Sequence, residues 1–161
     1  GKWLSENRPV ETGEVNASPS DFQACANNRD NVRSKAEMLR NCDSCKEQVV
    51  DARDAARFTG EEADTVHGLP GGHIPGARNL FFRDVVQEDG TVKPLGDMRA
   101  IFRAAGLDLT PPTTASCGSG MTASVILFAL QLLGQDGALY DGSWSEWGAD
   151  PDTPKEQGPA R

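Results

Sequence analysis

Cys117 is the residue around which chemistry can be built. A β-rich run, Thr113-Thr114-Ala115-Ser116, leads into the loop Cys117-Gly118-Ser119-Gly120-Met121-Thr122, and a dense apolar stretch, residues 123–133, follows. This pattern predicts a strand, a glycine-rich loop and a buried helix. A thiol at the mouth of such a loop sits where the unpaired N–H groups of a helix N-terminus and the positive end of its dipole converge. Both features favour thiolate over thiol and attract anions. A cysteine so placed can attack phosphorus, a carbonyl or sulfur. Phosphoryl chemistry needs an arginine six residues beyond the nucleophile to clamp the phosphate, and Ala123 stands there. Acyl transfer needs a histidine base, and His67 and His73 lie in no Cys–His pattern. Attack on sulfur asks less: a stabilised thiolate, N–H donors for a persulfide, and a cation for an acidic substrate.

The elements that must hold this loop alternate in period. Residues 48–53, Gln-Val-Val-Asp-Ala-Arg, read as a short buried strand ending in a charged pair, and residues 54–58 as a brief helical turn. Gly71-Gly72-His73-Ile74-Pro75-Gly76 must be a tight loop, followed by a strand over 77–82. Residues 97–105 form an amphipathic helix with Met98, Ile101, Phe102 and Ala105 on one face and Gly106 as its stop. A short helix is expected over 32–39, a last strand at Leu139-Tyr140, and a turn into helix over 141–147. Strands alternating with helices point to an α/β domain, a central mostly parallel sheet flanked by helices. In such sheets, sites form at the C-terminal ends of strands, where Asp51-Ala52-Arg53 and Cys117 both fall.

Composition bounds the rest. At 161 residues the chain suits one domain, with an ordered centre of roughly 130 residues and looser, Pro- and Gly-rich ends. We expect residues 1–20 to be a linker or the tail of a missing N-terminal domain, 21–148 the catalytic domain, and 149–161 a flexible tail. A formal charge of −8 argues against nucleic acid and against an anionic membrane surface. The longest apolar run, residues 125–133, is far shorter than the roughly 20 residues that span a bilayer. The opening Gly-Lys-Trp is no secretory leader, and the missing initiator Met suggests a fragment or a processed product. Four cysteines, Cys25, Cys42, Cys45 and Cys117, are too few for a disulfide framework and fit a reducing compartment, bacterial cytoplasm or mitochondrial matrix. The lone Cys42-Asp43-Ser44-Cys45 pair reads as two thiols in a polar connection rather than a metal or redox site.

The chain resembles the C-terminal, rhodanese-like domain of the two-domain 3-mercaptopyruvate/thiosulfate sulfurtransferases. The matching pieces, in family order, are Val49-Val50-Asp51-Ala52-Arg53, Ala56-Arg57-Phe58, Gly72-His73-Ile74-Pro75-Gly76-Ala77, the Cys117–Ala123 loop and Asp141-Gly142-Ser143-Trp144-Ser145-Glu146-Trp147. The resemblance implies that Cys117 takes sulfur from 3-mercaptopyruvate as a persulfide, releases pyruvate, and passes the sulfur to a thiol such as thioredoxin or to cyanide. It implies catalytic roles for Cys117 and Ser119, and substrate contacts from Arg57, Gly118, Gly120, Met121 and Thr122. Arg57 would hold the substrate carboxylate, Gly118 and Gly120 would offer N–H groups to the persulfide, and Ser119 would polarise substrate or relay a proton. It implies no cofactor and no metal, and a preceding rhodanese-like domain or partner chain that completes the cleft.

Each role has a plainer competitor. Ser119 could make only a local hydrogen bond, and Arg57 only a surface ion pair. Asp51 with Arg53, and His73, read as structural supports, and Trp144 with Trp147 as core packing. One departure stands out. An ungapped comparison puts Val66 where the family's second substrate arginine belongs, with His67 beside it as a substitute. The alternatives are a thiosulfate:cyanide sulfurtransferase, disfavoured by a loop without cations, and a non-catalytic rhodanese-like interaction subunit.

Overall fold

The computed structural model describes residues 1–23 and 31–160. Cys25 and the start of the expected 21–148 domain fall partly outside those residues. The elements run α1 (Lys2–Ser5), β1 (Val32–Arg33), α2 (Lys35–Ser44), β2 (Gln48–Asp51), α3 (Ala55–Thr59), β3 (Arg78–Asn79), a 3-10 turn (Phe82–Val85), α4 (Leu95–Ala104), β4 (Thr113–Ser116), α5 (Ala123–Leu132), β5 (Gly137–Tyr140) and α6 (Ser143–Trp147). The strands form a five-stranded sheet in the order β1-β5-β4-β2-β3, with every pairing parallel. The chain is an α/β protein with helices on both faces of that sheet.

The central strands β4 and β2 are buried on both faces. All four residues of β4 are buried, and Val49 and Val50 of β2 enter different clusters. On one face Val50 and Ala115 pack with Met98 and Phe102 of α4 and Ile126 and Leu130 of α5. On the other, Val49 packs with Met38 of α2, Phe58 of α3, Ile74, Tyr140, Trp144 and Trp147. The helix expected over 32–39 begins later. Val32 and Arg33 pair with β5, and Ser34 then starts α2 with a capping box: its side chain accepts from the Glu37 N–H while Glu37 takes the Ser34 N–H. Thus Cys42 lies in the last turn of α2 rather than in a connection, while Cys45, at φ +48°, caps the helix in the short connection to β2. The strand expected over 77–82 is cut to Arg78–Asn79, because the chain turns into the 3-10 segment that buries Val85. Of α5, Ala123, Ile126, Ala129 and Leu130 are buried while Phe128 and Leu132 face outward, so this helix is covered on one side only.

The expectation of a loose tail from residue 149 is corrected. Trp147 Nε1 donates to Pro154 O at 2.7 Å, and Thr153, itself buried, donates to Trp147 O at 2.6 Å. His73 and Glu156 exchange backbone hydrogen bonds at 2.9 Å each, and Gly158 N–H reaches Thr59 O. Proline and glycine composition suggested flexibility, yet the segment's backbone groups find partners on the loops around α3 and His73. Residues 1–23, including the single turn of α1, are exposed throughout.

Candidate active site

β4 ends at Ser116 and delivers Cys117, 1% exposed, to the C-terminal edge of the sheet. The loop then turns through Gly120 at φ +80° into α5, whose N-cap, Thr122, makes no side-chain capping bond. Gly120 has no alternative: a Cβ there would meet Asp141 O and Oδ1 at 2.9 Å, in a backbone region that L side chains rarely adopt.

The start of α6 holds this loop from behind. Ser143, buried at φ +48°, places its Oγ to accept from both Cys117 N–H and Gly120 N–H at 3.0 Å, and donates to Tyr140 O at 2.9 Å. Trp144 N–H donates to Cys117 O and Ser145 N–H to Gly118 O. The Gly120 amide, expected to serve a bound persulfide, is therefore directed at Ser143. Ser119 and Met121 stand exposed on the loop, Met121 at 78%, and Thr122 is half-buried at the helix start.

Arg57 stands on α3, where Asp54 caps the helix by accepting from Arg57 N–H at 3.0 Å. The same carboxylate takes Arg57 Nε at 2.6 Å. Burial alone would raise the Asp54 pKa, but the capping bond and the guanidinium outweigh it and hold the carboxyl below its ordinary value. The other anchor is Asp64, which sequence reasoning missed. Its carboxylate is fully buried, with Oδ1 2.9 Å from His67 Nδ1 and 3.7 Å from Arg57 Nη1, and Oδ2 3.5 Å from Arg53 Nη1. Burial pushes Asp64 up, yet the His67 hydrogen bond and charge, then Arg57 and Arg53, bring it below the usual carboxylate range. The one sequence signal was an acid three residues before a histidine, with Gly68 following.

The residues read as supports are supports. Arg53 is 1% exposed, forks onto Asp51 with Nη2 2.6 Å from Oδ2, donates to Gly72 O, and lies over the Trp144 ring at 4.7 Å. Burial disfavours its charge, but Asp51 and then Asp64 more than compensate and raise its pKa. His73 bonds Phe58 O through Nδ1 and stacks on the Phe58 ring at 3.9 Å. Trp144 and Trp147 are buried core residues. Val66 is 75% exposed, whereas His67 turns inward onto the cysteine loop.

The profile of the Rhodanese-like domain family matches residues 34–150. The chain belongs to the rhodanese-like domain family. It is 36% identical over 146 residues to the Mus musculus 3-mercaptopyruvate sulfurtransferase, covering 90% of this chain and 49% of that protein. It is 40% identical over 161 residues to the Bos taurus thiosulfate sulfurtransferase, covering 97% and 54%. The crystal structure of SseA from Escherichia coli, described as a 3-mercaptopyruvate enzyme of "Rhodanese" fold, superposes with a TM-score of 0.75 at 36% identity over 88% of this chain and 52% of that one. This rhodanese-like chain thus spans about half the length of the curated relatives it matches. Among its described residues no helix is long and apolar enough to cross a membrane.

Proposed function

We propose that the chain is the sulfur-carrying half of a 3-mercaptopyruvate-type sulfurtransferase, with Cys117 as the sulfur carrier. The Cys117 thiolate attacks the donor's sulfur: an S–S bond forms, the S–C bond breaks, and the electron pair passes to the methylene carbon as an enolate. That carbon takes the donor thiol's proton, giving pyruvate and a Cys117 persulfide anion. A thiolate acceptor of the thioredoxin kind, or cyanide, then attacks the outer sulfur and restores the Cys117 thiolate. Loop amides not taken by Ser143 stabilise the persulfide anion, Arg57 holds the donor carboxylate, and Ser119 assists the departing enolate.

The observation that carries this reading is the cysteine loop itself. It is locked in shape by Ser143 and glycine-bound on both sides of Ser119, and Arg57 stands beside the His67 that touches it. The names borne by the murine and E. coli relatives support the donor. The bovine relative's name favours thiosulfate as a second reading, in which a sulfite leaves in place of the enolate. Gly118 and Ser119 put no cation in the loop for that more highly charged donor, which weighs for the keto acid. The exposed Val66 and Met121 at the rim fit coverage by a second rhodanese-like domain or partner chain, reached through residues 1–20. Incubation with each donor, followed by intact mass and a pyruvate assay, tests the reading. One added sulfur with stoichiometric pyruvate is expected. Sulfur gained from thiosulfate alone selects the second reading.

A further inference from the structure

We propose that Cys42 and Cys45 form a second thiol site, a dithiol that a small disulfide of the glutathione type oxidises to a Cys42–Cys45 clasp, apart from Cys117. The two residues share one end of α2. Cys45 N–H still bonds Asn41 O at 2.8 Å, so residue 45 keeps its helical place three positions after residue 42. That spacing sets the two Cα atoms about 5 Å apart, inside the range a disulfide spans. Cys45 stands at φ +48°, where a helix end ordinarily uses glycine, and its Sγ turns back to donate to Cys42 O at 3.8 Å. Both thiols are free, and both line one cavity of about 430 Å³ with Val49, Pro75, Pro111 and Glu156. Among the described residues no three His, Cys, Asp or Glu side chains are grouped to hold a metal ion, so the pair is not half of a zinc site.

The cavity lies at the edge of the sheet opposite the catalytic thiol. Gln48, which opens β2, and Pro111, just before β4, line it, whereas Cys117 follows the last residue of β4. The length of β4, about 13 Å, keeps the pair out of reach of a sulfur on Cys117 of the same chain. The two thiols differ in access. Cys45 is exposed, while Cys42 is half-buried against the cluster that holds Met38, Val49 and Trp147. Burial, then Asp43, Cys45 and Glu156, push the Cys42 thiol up. Cys45 is therefore the first to react. Its thiolate attacks one sulfur of the small disulfide, a mixed disulfide forms, and the departing thiolate takes up the Cys45 proton. The Cys42 thiolate then attacks Cys45 Sγ, the bond between the two cysteines forms, and the second small thiol leaves with the Cys42 proton. Two protein thiols are oxidised, and one disulfide is reduced to two thiols. A thiol that is hard to ionise leaves a disulfide slowly, so the clasp, once closed, opens slowly. Closed, it ties the last turn of α2 to the connection that leads into β2.

Peptide mapping of the wild-type chain tests this directly, because trypsin cuts after Arg40 and Lys46 and releases both cysteines in one peptide, residues 41–46. The reduced chain is equilibrated with excess glutathione disulfide, its remaining thiols are alkylated, and it is digested. The peptide should be lighter by two hydrogens and carry no alkyl group. Cys42→Ser should stop at a glutathione adduct on Cys45, and Cys45→Ser should gain its adduct on Cys42 about tenfold more slowly. In the Cys117→Ser background, where the catalytic thiol takes no part, closing the clasp should raise Tm by about 2–4 °C, and adding Cys42→Ser should abolish the rise. A peptide alkylated at both cysteines, or holding glutathione on both, overturns the proposal. Equal adduct rates in the two single variants overturn the order of attack, and a closed clasp with an unmoved Tm overturns its hold on α2. Sulfur loading at Cys117 is read by a different experiment and stands or falls without the pair.

Discussion

At the residue scale, the shape of the cysteine loop depends on one hydroxyl. Ser143 Oγ is the shared acceptor for Cys117 N–H and Gly120 N–H, and all of these groups are buried. Ser143→Ala leaves both amides without that partner, at a cost of roughly 2 kcal/mol, and urea denaturation should show a loss of that size. A change under about 0.5 kcal/mol would mean that the amides re-pair without it. Gly118→Ala should drive a methyl into the His67 ring, weakening the His67–Asp64 bond and slowing sulfur loading. Asp64 also sets a pH response. Its folded pKa lies below its unfolded one, so its stabilisation is complete above about pH 4 and is lost as pH falls through the folded value. Asp54 acts in the same direction. Asp64→Asn should therefore flatten the acid limb of a stability–pH profile measured by thermal melting. An unchanged limb would show that the carboxylate gains nothing from its three cations.

At the scale of elements, β4 and α5 carry the cysteine, but α6 and the turn after α3 decide what surrounds it. The buried Arg53 is the strut between them, bonded to Asp51, Asp64 and Gly72 O and stacked on Trp144. Arg53→Met removes the cation and leaves the buried Asp51 carboxylate without its ion partner, while Asp64 keeps His67 and Arg57, so a destabilisation of roughly 3–5 kcal/mol is expected by denaturant titration. Much of this frame was legible in the sequence. The strand–loop–helix around Cys117 follows from β-formers, glycines and an apolar run, and β4 and α6 fall where that pattern puts them. The Asp51–Arg53 pair, the structural His73 and the two core tryptophans were legible too, because their residue types at strand ends and turns leave few other uses. Asp64 and the Ser143 hydroxyl were not. Ser143 acts through loop amides 23 and 26 residues away, and Asp64 through the fold of one irregular turn, and no local period records either. The start of α2 was misplaced for a related reason: Val32 and Arg33 suit a helix locally, and only pairing with β5 makes them strand.

At the scale of the whole molecule, composition misled at the C-terminus. Residues 150–160 are rich in Pro, Asp and Gly, yet they cover Trp147, pair with His73 and bring Asp150 to Lys35 at 2.7 Å. Ending the chain at Ala149 should uncover the Trp147 indole and His73 and lower the melting temperature by several degrees, which a thermal scan would read. An unchanged melting temperature would mean that the segment lies on the domain without supporting it. The chain spans about half of its curated relatives, and the exposed rim beside Cys117 is where we place the other half. The central claim concerns only this half: that Cys117 carries sulfur. Intact mass after incubation with 3-mercaptopyruvate tests it most directly. The account predicts one added sulfur on the wild-type chain, removable by a thiol reductant, and none on Cys117→Ser. Sulfur retained by Cys117→Ser, or never gained by the wild type, would contradict it.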